Sequence, residues 1–90
     1  MSRQVRTFLI VNTLGLHARA AAQLVQTANR FRADVLVEKD GMEVNGKSIM
    51  GVLTLAAAKG SEIIVSADGE DAEPALMALA KIIEAGFGEK

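Results

Sequence analysis

The stretch NTLGLHARAAAQLVQ, residues 12–26, decides how the chain is read, because two structural patterns meet inside it. Before it, Val5 to Val11 is rich in β-formers and ends at Asn12, which predicts a first strand with Phe8 and Ile10 on its core side. Within and beyond it, HARAAAQLVQTANRF is alanine-rich and sets Ala21, Leu24, Val25 and Ala28 at helical spacing. Gly15 relaxes the backbone between the two patterns. The chain's one histidine, His17, stands at the changeover.

Further along, ADVLVEKDGMEVNG reads as a hairpin, with Val35 and Val37 alternating with Leu36 and a turn at Asp40-Gly41. KSIMGVLTLAA predicts a short helix capped by Ser48 and stopped by Lys59-Gly60, with Gly51 inside it costing about 1 kcal/mol relative to alanine. SEIIVSADG gives a fourth strand, Ile63 and Val65 facing in and Ile64 facing out. A last helix runs from about Glu70 to Ala85, burying Leu76, Leu79, Ala80 and Ile83. Pro74 falls in its first turn, where a missing N–H does little harm, and Gly86 ends it. The order βαββαβα predicts an α+β fold, one sheet with its helices on one face.

Composition narrows the function. Ninety residues predict a single domain, 1–90, and half of them are hydrophobic, which favours an ordered core. Cysteine is absent, so a disulfide framework and a thiolate metal site are both excluded. A single histidine argues against a dedicated metal centre, and no cofactor is expected. A net charge of −1, with three phenylalanines as the only aromatics, argues against nucleic acid as partner. The leading MSRQVRTFLIV has too short an apolar run for a signal peptide or membrane insertion, which points to the cytoplasm.

The histidine has two readings. If a helix starts just after His17, the ring lies beside unpaired backbone N–H groups and the positive end of the helix dipole, an anion site. Arg19 adds a guanidinium whose fork matches phosphate oxygens. Free imidazole, with a reference pKa of about 6.5, is mostly neutral at pH 7 and can attack a phosphoryl donor. The blander reading makes His17 a mediocre helix cap and Arg19 a solvated charge. Spacing alone leaves both open.

Two segments together, LGLHARAAAQLV (14–25) and VNGKSIMGVLTLAAAKGSEI (44–63), resemble the histidine-containing phosphocarrier family, HPr, of the bacterial phosphotransferase system. The likeness runs from about Phe8 to the closing AGF. It implies an open-faced β-sandwich, a four-stranded antiparallel sheet with three helices on one side. It also implies a cytoplasmic, monomeric carrier that takes a phosphoryl group from Enzyme I and passes it to an EIIA protein or domain. On the motif match, His17 is phosphorylated through Nδ1 and Arg19 steadies the phosphate. One departure stands out: the family's usual proline after the motif arginine is here Ala20, which keeps helix propensity, gives up some rigidity and adds one backbone donor.

The second segment implies more. Ser48 matches a serine that an ATP-dependent kinase, HPr kinase/phosphorylase, phosphorylates in many relatives. It is also the predicted cap, and both roles can hold. Ile49, Met50 and Leu53 match an apolar docking patch shared by successive partners, so Met50 and Leu53 are expected exposed, with Gln23 at the border. Lys47 is read as a solvated charge or an electrostatic guide. The alternative function is a regulatory protein-binding module of the nitrogen-related branch, or one acting mainly through Ser48 rather than in sugar uptake.

Overall fold

The computed structural model describes residues 3–89. In chain order its elements are β1 (Arg3–Leu9), α1 (Ala18–Ala28), β2 (Asp34–Lys39), β3 (Met42–Asn45), α2 (Ile49–Thr54), β4 (Glu62–Asp68) and α3 (Ala72–Glu84), followed by a 3-10 turn, Gly86–Gly88. The strands form one antiparallel sheet in the order β1-β4-β2-β3.

Strand alternation sorts the side chains. Phe8, Val35, Val37, Ile63, Val65 and Ala67 turn inward and are buried, with Phe8 opposite Ile63 and Val37 opposite Val65. The other face meets solvent, leaving Val5, Leu9 and Ile64 exposed, as an antiparallel sheet covered on one side requires. Helices cover the inner face. α1 buries Ala20, Ala21, Leu24, Val25 and Ala28, while α3 buries Ala72, Ala75, Leu76, Leu79, Ala80 and Ile83. Alanines on both stripes let α1 approach α3 closely, and α1 also packs against α2. The hairpin turns at Asp40 (φ 51°) and Gly41 (φ 85°), two left-handed residues in succession, as an Asp-Gly two-residue turn demands.

Boundaries depart from the sequence reading where distant backbone competes. β1 starts and ends two residues earlier than expected. Ile10 nevertheless stays paired, donating to the Ser61 carbonyl at 2.9 Å while its own carbonyl accepts from Gly60 at 2.8 Å. α2 stops at Thr54, well short of Lys59-Gly60. Ala56 turns left-handed (φ 48°), and the Ala57 carbonyl accepts from the Leu16 amide at 2.8 Å instead of from helix. α3 begins at Ala72 rather than Glu70. Asp71 occupies the cap position but turns its carboxylate to the amides of Arg32 and Ala33, both at 2.8 Å, tying the start of α3 to the approach to β2. After Ala85 the chain adds a 3-10 turn, Gly86–Gly88, which the helical periodicity up to Ala85 does not predict.

Candidate functional site

The segment between β1 and α1 is folded by its own polar groups. The buried Asn12 side chain donates from Nδ2 to the Gly15 carbonyl at 2.8 Å, and the Gly15 amide returns a bond to the Asn12 carbonyl at 3.2 Å. Gly15 is left-handed (φ 65°), and a Cβ there would lie 2.3 Å from the Ala57 carbonyl oxygen, so no other residue fits. This tight turn delivers His17 to the end of α1 in an extended conformation.

His17 is the N-cap of α1. Its Nδ1 accepts from the Arg19 amide at 3.3 Å, while the Ala21 amide bonds the His17 carbonyl at 2.8 Å. An N–H donor aimed at Nδ1 requires that nitrogen to be bare, so a neutral ring carries its proton on Nε2. The ring keeps 31% of its side-chain surface in solvent. A 3.3 Å bond at an exposed site is weak, so the lone pair is held loosely.

His17 lines a cleft of about 340 Å³ together with Leu14, Arg19, Gln23, Phe87, Gly88 and Glu89. Arg19 is exposed, and among the described residues its guanidinium makes no ion pair. Gln23 faces the same cleft, but its Nε2 donates to the Phe87 carbonyl at 3.1 Å, so it anchors the C-terminal turn. Glu89 closes one wall. Its carboxylate accepts from the Leu14 amide at 3.2 Å and from Asn12 Nδ2 at 3.3 Å, and Oε2 lies 3.8 Å from His17 Nε2. Burial alone would raise the Glu89 carboxyl. The Asn12 amide, the Leu14 and Thr13 backbone and the neighbouring His17 outweigh it and hold the group below the ordinary glutamate range.

The second segment is only partly as expected. Ser48 caps α2, its Oγ accepting from the Gly51 amide at 3.1 Å. Met50 is 75% exposed and Ile49 41%. Leu53 is half-buried against the core, so its expected exposure is only partial. Lys47 is neither a solvated charge nor a free guide. Its Nζ donates to the Phe31 carbonyl at 2.7 Å, past the end of α1, where a cation satisfies an unpaired carbonyl.

Sequence reasoning passed over Asn12, Leu14, Phe87 and Glu89. Leu14 carried a usable signal, an apolar residue beside a glycine turn and 65% exposed in the fold. Glu89 carried none, being 77 residues from Asn12. Among the described residues no helix is long and apolar enough to cross a membrane, and no cluster of three metal-ligating side chains occurs.

Residues 4–85 match the family described as PTS HPr component phosphorylation site. The phosphocarrier protein HPr of Neisseria meningitidis serogroup A is 51% identical over 80 residues, covering 89% of this chain and 90% of the relative. The crystal structure of HPr from Thermoanaerobacter tengcongensis superposes with a TM-score of 0.93 at 47% identity, over 97% of this chain and 98% of that one. Crh of Bacillus subtilis, a catabolite-repression protein seen as a domain-swapped dimer, is 46% identical with a TM-score of 0.75, over 96% and 97% of the two chains. Family match, identity and superposition agree along nearly the whole length, and the chain belongs to the HPr family of phosphocarrier proteins of the phosphotransferase system.

Proposed function

We propose that His17 accepts a phosphoryl group from phospho-Enzyme I and passes it to an EIIA protein or domain. The observation that carries this is a partly exposed imidazole at the amino end of α1 with its Nδ1 bare and loosely held. Nδ1 attacks phosphorus in line as the bond to Enzyme I breaks. The Arg19 amide, released from the ring nitrogen, is then free to donate to a phosphoryl oxygen, and the Arg19 guanidinium, which has no ion pair among the described residues and lines the same cleft, adds positive charge. Positioning and charge stabilisation do most of the work in such transfers. Transfer to EIIA runs the step in reverse on a new acceptor.

Exposed Met50 and Ile49 serve as the docking face, a flexible apolar surface suited to successive partners, while Lys47 drops out because its ammonium is engaged. The carrier acts as a monomer in the cytoplasm, and sedimentation at assay concentration tests the first of these. Incubation with Enzyme I and labelled phosphoenolpyruvate tests the transfer. Acid-labile label on the parent and none on His17→Ala is the expected result, and equal label on both overturns it.

The likeness to Crh favours a second, regulatory reading in which Ser48 is phosphorylated by an ATP-dependent kinase. Its signature is acid-stable label that Ser48→Ala abolishes. Label that survives the substitution excludes it.

A further inference from the structure

His17 and the exposed apolar residues Ile49 and Met50 belong to the helical layer, and among the described residues nothing covers the other side of the sheet. Strand register lays that open face out in rows. Val5, Ser66 and Leu36 stand side by side across β1, β4 and β2, and the next row is Thr7, Ile64 and Glu38. Val5 and Ile64 are exposed and Leu36 is half-buried, while exposed Leu9, diagonal to Ile64, extends the patch along β1. Single exposed apolar side chains are ordinary on a surface, but adjoining ones form a patch that marks an interaction site.

Around this centre the face is acidic. The row beyond Val5 holds Arg3, Asp68 and Asp34, the row beyond Ile64 sets Glu62 opposite Leu9, and toward β3 Glu38 faces Glu43. Carboxylates thus outnumber the lone guanidinium heavily on this face of the described residues. The whole chain carries a net charge of only −1, so the rest of the molecule is net positive. Among the described residues none of these carboxylates forms an ion pair. Folding does not call for the arrangement. Glu38 and Glu43 are directly opposite in register, as are Asp34 and Asp68, and like charges so placed destabilise an antiparallel pair. An apolar centre within a polar rim is instead the anatomy of a protein interface, and a rim of one sign selects a partner of the other. These carboxylates repel nucleic acid and anionic lipid, and a metal ion alone would leave the apolar centre uncovered.

We propose that the open face of the sheet is a second docking surface, for a protein partner that presents apolar side chains ringed by lysine and arginine. The surface lies across the sheet from α1 and α2, so such a partner binds without covering His17. It stands whether or not His17 carries phosphate.

The probe is a synthetic amphipathic helical peptide, leucines along one face and lysines flanking them, titrated into the ¹⁵N-labelled protein. Amide shifts should gather on Val5, Leu36 and Ile64 and leave those of His17, Ile49 and Met50 in place. Replacing the peptide's leucines with serine should weaken binding about tenfold or more, and so should about 1 M salt, where screening reaches contact distance. Glu43→Lys separates docking from folding. It turns a like-charged cross-strand pair into an opposite one, so its urea midpoint should equal or exceed the parent's while it binds the peptide several-fold more weakly. No binding, shifts centred on Met50, or equal affinity for the serine peptide overturns the inference, as does Glu43→Lys binding as tightly as the parent. Shifts at Glu38 and Glu43 on adding calcium ions, with none on adding peptide, would make this a cation site and also overturn it.

Discussion

At the scale of single residues, His17 is the N-cap of α1, the blander of its two readings, and the cap bond is made by a ring nitrogen. The nitrogen that caps α1 is the one proposed to take the phosphoryl group, so phosphorylation exchanges a weak cap for an anion at the same amide. The two roles separate by substitution. Serine is a strong cap and no nucleophile toward phospho-Enzyme I in this setting, so His17→Ser should unfold in urea at or above the parent's midpoint while taking no acid-labile label. Gly15 is the other decisive residue. Gly15→Ala places a side chain in a left-handed conformation and against the Ala57 carbonyl, which should cost at least about 1 kcal/mol by urea denaturation. A loss of less than a few tenths would show that the turn can shift without consequence. The turn at Gly15 and the helix start just after His17 were legible because both are local. Lys47 was not, since its carbonyl partner on Phe31 is 16 positions away.

At the scale of elements, α2 shows how little a short helix controls its own fate. Six residues with a glycine inside are marginal, and the Ser48 cap supplies one of the few local supports. Ser48→Ala should therefore lower stability by about 1 kcal/mol, read from chemical denaturation. Ser48→Asp keeps a capping oxygen and adds a negative charge. It should unfold at the parent's temperature yet accept phosphoryl more slowly, because the added charge lies next to exposed Ile49 and Met50. Equal slowing by both variants would assign the effect to lost structure. The helix's start was readable from the serine. Its end was not, because the run VLTLAAA has good helix periodicity until the Leu16 amide claims the Ala57 carbonyl.

At the scale of the whole molecule, sheet and helices share one apolar layer. Removing Ile63, fully buried opposite Phe8, should cost about 2–5 kcal/mol as Ile63→Ala, measured by the urea midpoint. Acid acts through long-range ties. Asp71 sits below the usual aspartate range, mainly because the Arg32 amide bonds its carboxylate, and Glu89 is also lowered. A folded pKa below the unfolded one contributes stability above the unfolded value, near 4, and that contribution is lost as pH falls through the folded value. The melting temperature should thus drop on acidification below about pH 4, and Asp71→Asn should flatten that slope. An unchanged slope would mean the bonds to Arg32 and Ala33 do not couple protons to folding.

Strands, helices and the Asp40-Gly41 turn could be read from sequence because each is written in spacing over a few residues, whereas the histidine–arginine pair was singled out by its resemblance to a family motif. Asn12 with Glu89, Lys47 with Phe31, and Ala57 with Leu16 could not. Each joins groups far apart in the chain, and a polar atom finds such a partner only once packing has brought the two together.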